Sequence, residues 1–380
     1  MTGRIVQFGT SRFLQAHVDF FVHEAREEGQ AVGPITVVQV SGSPERAGRV
    51  AAFGRPEGFP VVIRGLEAGQ PVERTVTVRS VDRGLSAERD WEELADLVAT
   101  RAEAVVSNTG DAGYAVAPRD RTPDLLDTAT APASFPGKLL ALLWRRWRAG
   151  GAPLVLLPCE LVSGNGSVLR DTVLNLARDV RVPADFAAWI GRDLVWADTL
   201  VDRIVSEPIE PVGAVAEPYA LWAIARRRGL AEPPCRHPAI VMADDLEPYE
   251  RLKLHILNLG HTVLADIWRS EARDAGETVR AMLADPDVRE RLEAVYRREV
   301  VPGFAARGLG EEAAAYVAAT LERLLNPFLD HRVADIAQNH GVKVERRIGA
   351  FLAWTAGAGG KAPAAPTLEG IVARNRAGSP

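Results

Sequence analysis

The chain has 380 residues, 47% of them hydrophobic and 25% charged, with a formal net charge of −5. That is enough apolar material for two separate cores, and the mild acidity argues against nucleic acid or an anionic membrane as the main partner. Cys159 and Cys235 give neither a disulfide framework nor zinc-ligand spacing, and no apolar run reaches transmembrane length. With no basic segment leading into an apolar one at the N-terminus, a cytoplasmic location is the expectation.

The first half alternates strand and helix signals, the pattern of a parallel α/β sheet. Strand-like runs cover 4–8, 35–40, 60–64, 75–80, 104–107, 153–157 and 199–205; helical patterns lie at 13–28, 87–100, 135–148 and 168–179. From about residue 217 the chain reads as nearly all helix, at 219–228, 248–269, 275–284, 288–300, 311–325 and 330–340. Residues 357–380, rich in Ala, Gly and Pro, read in part as loop or tail. The expected architecture is α/β: a Rossmann-type parallel-sheet domain over 1–212 and a mostly α-helical domain over 213–380.

The first strand runs into Gly9-Thr-Ser-Arg-Phe13 and then a helix, where a Rossmann fold turns and offers backbone N–H groups to a pyrophosphate. Gly9, Ser11, Arg12 and Phe13 are therefore candidate cofactor contacts, although Ser11 stands where a second glycine is expected. The second strand ends in Ser41-Gly-Ser43 without the acidic residue that usually binds a ribose. Arg46 and Arg49 follow and keep NADP open beside NAD. Asn108 and Thr109, and later Asn165 in Pro158-Cys-Glu-Leu-Val-Ser-Gly-Asn165-Gly166, also follow strands, so all these segments belong at strand carboxyl ends.

Lys253 occupies an unusual place in the helical run from 247 to 268. With Lys253 at zero and about 100° per residue, Leu264, Leu257 and Trp268 fall near 20°, 40° and 60°. A lysine amid an apolar face is rarely found unless paired or used. Glu250 and His261 share that face, Asn258 sits at its edge, and Arg251, His255, Thr262 and Asp266 make the opposite, solvated face. An amine flanked by an imidazole, an amide and a carboxylate has the composition of a proton-transfer site. Gly260, costly inside a helix, points to close approach of a ligand or backbone.

Taken in order, these segments resemble the polyol-specific long-chain dehydrogenases, the mannitol dehydrogenase family, from Arg4 to about Arg347. Lys253, Asn258 and His261, a Lys-x4-Asn-x2-His pattern, carry the resemblance most specifically. Details are most similar to the tagaturonate reductase (altronate oxidoreductase) branch. They are Gln7-Phe-Gly9, Ser107-Asn-Thr109, Phe135-Pro-Gly-Lys-Leu139, Leu157-Pro-Cys-Glu-Leu161, Leu200-Val-Asp-Arg-Ile204, Glu217-Pro-Tyr-Ala-Leu-Trp222 and Asn326-Pro-Phe328 with His331. The resemblance implies an NAD(P)-dependent, metal-independent oxidoreductase interconverting a secondary alcohol and a ketone on a linear sugar acid. It implies Lys253 as general acid/base, Asn258 and His261 holding the reacting oxygen, and Glu250 as proton relay. Arg323 falls where the family has a substrate-contacting arginine; Lys343, Arg346 and Arg347 are further candidates for a substrate carboxylate. Mannitol dehydrogenases carry an Asp-Asn pair where this chain has Glu160-Leu161, so Asn165 becomes a candidate for the missing amide. Asp111 replaces a family glutamate, and the chain is shorter than typical tagaturonate reductases.

In the oxidative direction Lys253 must be neutral to take the hydroxyl proton; burial and Glu250 act on its charge in opposite senses. His255 and His261 are wrongly spaced for zinc. The competing readings are a dehydrogenase of a neutral polyol or a hexitol phosphate, and a cofactor-binding sensor without chemistry. The expected partner is a small molecule, with the chain a monomer or homodimer.

Overall fold

A computed structural model describes residues 2–41, 47–110, 112–126, 129–357 and 363–377. Its internal contacts divide the chain into two units. The first gathers Met1–Ile63, Arg74–Ala216 and Ala220–Leu246, and the second Arg64–Glu73, Glu217–Tyr219 and Glu247–Pro380. In chain order the strands are β1 (Arg4–Phe8), β2 (Ile35–Gln39), β3 (Phe59–Glu67), β4 (Gln70–Val78), β5 (Val81–Ser86), β6 (Ala102–Ser107) and β7 (Val155–Pro158). They continue with β8 (Val195–Trp196), β9 (Thr199–Asp202), β10 (Val205–Pro208), β11 (Ala214–Ala216), β12 (Leu221–Ala225) and β13 (Ile240–Ala243).

Six strands of the first unit form a parallel sheet in the order β5-β2-β1-β6-β7-β8. The chain winds outward from β1 in one direction and from β6 in the other, so the strand order reverses between β1 and β6. In such sheets that reversal opens a crevice at the carboxyl ends. Alternating side chains feed two cores: Val6 and Phe8 of β1 pack with Leu94, Leu139 and Leu142 on one face. Ile5 packs with Val18, Phe21 and Val22 on the other. Helices Trp91–Thr100 and Phe135–Arg148 cover the first face and Val18–Glu27 the second. The expected strands at 60–64 and 75–80 exist as β3 and β4, but they lie in a separate four-stranded sheet, β10-β11-β3-β4.

The structure differs from the sequence reading at identifiable places. The helix expected at 219–228 is β12, antiparallel to β9 and parallel to β13. Its Leu-Trp-Ala-Ile-Ala run is buried on both faces and carries no period to separate strand from helix. Because β12 and β13 join the first unit, the contacts part the chain at 246/247, rather than at 212/213 as read from the sequence. The stretch read in part as tail contains the helix Pro366–Ala377. It buries Leu368, Ile371 and Val372 in a third core, and the Glu299 carboxylate caps it, accepting from the Thr367 and Leu368 N–H groups at 3.0 Å each.

The helices of the second unit surround the segment Glu247–Ser270, whose Ile256, Leu259, Val263 and Leu264 anchor the third core. Residues 330–340 do not form one helix: Val333–Ile336 stops, Asn339 takes a left-handed φ of 54°, and a new helix begins at His340. Among the described residues no helix is long and apolar enough to cross a membrane.

One buried polar couple has a measurable consequence. Gln7 Nε2 donates to the buried Asp19 carboxyl at 3.4 Å, while Asp19 Oδ1 and Gln7 Oε1 find no partner among the described residues. Burial pushes the Asp19 carboxyl well above its ordinary value of 3.8, so the folded protein holds a proton that the unfolded chain releases. The associated stability is complete below that ordinary value and is lost as pH rises toward the folded one. Asp19→Asn, which can donate to Gln7 Oε1, will gain on the native protein as pH rises above about 4, by at most about 1.4 kcal/mol per pH unit. Urea unfolding across that range measures the difference; parallel stability curves would mean that Asp19 is ionised in the fold.

Candidate active site

The crevice of the first unit is built on Gly9. Its φ is +126°, and a Cβ there would lie 2.5 Å from the Asn108 carbonyl oxygen, so only glycine lets β1 and β6 turn out side by side. Asn108 in turn donates from Nδ2 to the Cys159 carbonyl at 2.8 Å, which ties the ends of β6 and β7 together. Ser11 caps the single turn Arg12–Gln15 by accepting from the Leu14 N–H at 3.3 Å. Arg12 is exposed, Phe13 is half-buried and stacks on His17 at 4.8 Å, and Ser41 is exposed beyond β2. The observation that fits a dinucleotide is this cradle, closed to any Cβ at Gly9, at the point where the strand order reverses. Ser43, Arg46 and Asp111 lie outside the described residues.

Two polar residues beside the crevice are committed elsewhere. Thr109 gives both its N–H and its hydroxyl to Glu160 Oε1 at 3.0 Å, and Ser107 and Tyr114 donate to Oε2 at 3.0 Å. Glu160 is thus a buried carboxylate that fixes the loop after β6. Asn165 was expected at the cofactor or reacting oxygen, and the geometry corrects that. Its Nδ2 donates to the Pro158, Glu160 and Thr199 carbonyls at 3.0, 3.1 and 3.0 Å, and its Oδ1 accepts from the Gly166 and Thr199 N–H groups. An amide with two donors and one acceptor oxygen has nothing left for a ligand; Asn165 laces the backbone after β7. Sequence reasoning missed Glu160 as the organiser, because Ser107, Thr109 and Tyr114 lie 46–53 residues away and only folding brings them to it.

In the second unit the helix carrying Lys253 is not uniform. It widens into a π-helical turn over Lys253–Leu257, in which the Asn258 N–H bonds to the Lys253 carbonyl, five residues back. Asn258 therefore stacks above Lys253; in a regular α-helix it would stand about 140° away. His261, three residues further along the α-helix Asn258–Ser270, adjoins Asn258 on the same side. The spacing Lys-x4-Asn-x2-His becomes one stripe, and the step of five was the signal the uniform wheel ignored.

That phase change corrects other expectations. Lys253 and Glu250 are half-buried, not in the middle of an apolar face. His255 and Thr262, assigned to a solvated face, are buried: His255 Nδ1 meets the Arg347 carbonyl at 2.9 Å, and its ring stacks on Trp354. Gly260 answers to no ligand, for a Cβ there would sit 1.8 Å from the Tyr296 hydroxyl.

Two arginines and a second histidine act on His261. Burial brings its pKa down to about 3, with His331, Arg347 and Arg323 reinforcing the fall and the Leu257 carbonyl opposing it. It is a neutral imidazole at any ordinary pH. The His331 ring lies 5.2 Å away, at 67°, and is itself lowered by burial and then by Lys343, against Asp335. Arg347 donates from Nη1 to the Asn258 carbonyl at 3.2 Å and to the Thr262 hydroxyl at 3.1 Å, and Lys343 donates to the Ile336 carbonyl at 2.7 Å. Both are half-buried, and burial lowers both.

Arg323, expected on the substrate, is instead buried in an ion pair. Its Nε reaches both Glu217 oxygens at 3.1 and 3.0 Å, Nη2 reaches Oε1 at 2.9 Å, and the guanidinium lies 4.4 Å over the Tyr219 ring. Both partners are about 3% exposed or less, and the same guanidinium is near enough to lower His261.

Comparison with known proteins agrees with this division of labour. Residues 3–234 match the family model of the mannitol dehydrogenase Rossmann domain, and residues 245–365 that of the mannitol dehydrogenase C-terminal domain. The chain belongs to the mannitol dehydrogenase family. An altronate oxidoreductase from Halalkalibacterium halodurans is 31% identical over 370 residues, which are 91% of this chain and 69% of the relative. One from Bacillus subtilis is 29% identical over 369 residues, 90% of this chain and 73% of the relative. Among solved structures, substrate-free D-sorbitol dehydrogenase superposes with a TM-score of 0.75 at 20% identity, covering 91% of this chain and 75% of the other. The ternary complex of Pseudomonas fluorescens mannitol 2-dehydrogenase with NAD and D-mannitol superposes with 0.70 at 19%, covering 99% and 79%. At these identities the two structures establish the fold.

The ion pair separates a structural from a substrate role for Arg323. Removing one member of a buried pair strands the other charge, so Arg323→Leu should cost about 3–5 kcal/mol of stability in urea unfolding. A variant with native stability and a raised KM alone would return Arg323 to the substrate.

Proposed function

We propose that this protein is an NAD-dependent dehydrogenase that interconverts a secondary alcohol and a ketone on a linear sugar acid, of the altronate/tagaturonate kind. The observation that carries the chemistry is the single stripe of Lys253, Asn258 and His261, produced by the π-helical turn. The substrate class rests on the arginines acting on His261, Arg347 and Arg323, with Lys343 acting on His331, and on the altronate oxidoreductases among its relatives.

In this reading Gly9, Ser11, Arg12, Phe13, Ser41 and Asn108 hold the dinucleotide, which supplies hydride transfer when bound. NAD, the dinucleotide in the mannitol 2-dehydrogenase ternary complex, is taken as the cofactor. Lys253 takes the hydroxyl proton in oxidation and returns it in reduction. His261 is a poor candidate for that role, since a group titrating near 3 stays neutral and exchanges no proton at working pH. It orients the reacting oxygen, and the Asn258 amide donates to that oxygen as charge develops, an effect worth about 3 kcal/mol per donor elsewhere. Glu250, one turn before Lys253, relays the proton to solvent. Lys343 and Arg347 receive the substrate carboxylate.

The test is a nicotinamide-absorbance screen with NAD and NADP against altronate, mannonate, hexitols, pentitols and hexitol phosphates, and tagaturonate and fructuronate in reduction. Turnover confined to an aldonate–ketouronate pair supports the reading; turnover with neutral polyols alone removes the carboxylate from it. Lys253→Ala should lower kcat by about 10²–10⁴-fold while NADH still binds by fluorescence titration. Native turnover in that variant would rule Lys253 out as the acid/base.

A further inference from the structure

The spacing of the Lys253 stripe depends on a helical turn that is intrinsically disfavoured. A π-turn has wide geometry and is uncommon, and it persists only where surrounding groups hold it against relaxing by one residue into an α-helix. Such a slip would rotate Lys253 by roughly 100° relative to Asn258 and His261. Some group must therefore grip the backbone inside Lys253–Leu257.

Tyr296 does so. Its hydroxyl donates to the Ile256 carbonyl at 3.0 Å, and the side chain is buried. Burial raises the phenol above its usual value, so it stays protonated and remains a donor. The phenol reaches the carbonyl across Gly260, where a Cβ would come within 1.8 Å of the hydroxyl oxygen and 2.9 Å of the ring carbon that bears it. Gly260 is thus the opening through which Tyr296 reaches the helix. Tyr296 itself begins a second π-turn, Tyr296–Val300. From the other side His255, also inside the first turn, meets the Arg347 carbonyl within a third, Glu345–Gly349.

We propose that Tyr296, with the opening left by Gly260, is a positioning residue for the dehydrogenase reaction: its hydroxyl holds the π-turn that stacks Asn258 and His261 over Lys253. This rests on the reading of Lys253 as the acid/base. A tyrosine that only fills the core would need its ring, and its hydroxyl would serve merely to satisfy burial.

The experiment uses the full chain with NAD and altronate, or the polyol that turns over in the screen, undeuterated and deuterated at the oxidised carbon. Tyr296→Phe keeps the ring and should fold and bind NADH as the native protein does. Its kcat should fall about 10- to 100-fold, with KM changed far less and the primary isotope effect raised because the chemical step has slowed. Gly260→Ala should be worse, and adding Tyr296→Phe to it should recover part of the loss, since the atom at 1.8 Å is then gone. Native kcat and isotope effect in Tyr296→Phe, with Lys253→Ala inactive, would overturn the positioning role alone. Native turnover in Lys253→Ala would overturn the reading beneath it as well. A double variant no better than Gly260→Ala would also count against the proposal.

Discussion

One hydrogen bond, from the Asn258 N–H to the Lys253 carbonyl, sets the geometry on which the stripe of Lys253, Asn258 and His261 depends. It closes a loop of five residues where a helix ordinarily closes four, and everything after it is turned by most of a third of a circle. The rest of the second unit can be understood as accommodation to that turn. A phenol and a guanidinium reach it from neighbouring helices, and the helices that supply them contain wide turns of their own. A glycine in mid-helix, which costs about 1 kcal/mol, is tolerated because the phenol occupies its place.

The first unit is ordered by a different constraint, the satisfaction of polar groups where strands end. Glu160 and Asn165 are each saturated by donors and acceptors from the loops they join. These residue types in a crevice invite a catalytic reading, yet their capacity is consumed by the backbone. What they leave is a frame around Gly9, suited to holding a dinucleotide at low entropic cost.

Much of this was legible in the sequence. The alternating strand and helix pattern located β1, β2, β6 and β7, and the Gly9 turn fell at the point where the sheet order reverses. Lys253, Asn258 and His261 could be named from their residue types. Their geometry could not, because a wheel assumes a uniform helix, and it put His255 and Thr262 in solvent when both are buried. Nor could periodicity separate β12 from a helix, since a strand buried on both faces has no polar side to reveal its period. Arg323 misled for a further reason. Its partner Glu217 is 106 residues away in sequence, and only folding brings the two together.

That pairing has a consequence for how the molecule can be divided. Glu217 belongs to the short segment Glu217–Tyr219, which the chain lends to the second unit between β11 and β12, as it also lends Arg64–Glu73. Asn326 caps this arrangement by donating to the Arg64 carbonyl at 3.3 Å. The helical unit is therefore discontinuous in sequence, assembled from three stretches of chain. A fragment beginning at Glu247 would carry every residue of the Lys253 stripe and yet bury Arg323 without its carboxylate. Such a fragment would lack the segments Arg64–Glu73 and Glu217–Tyr219, which complete the unit.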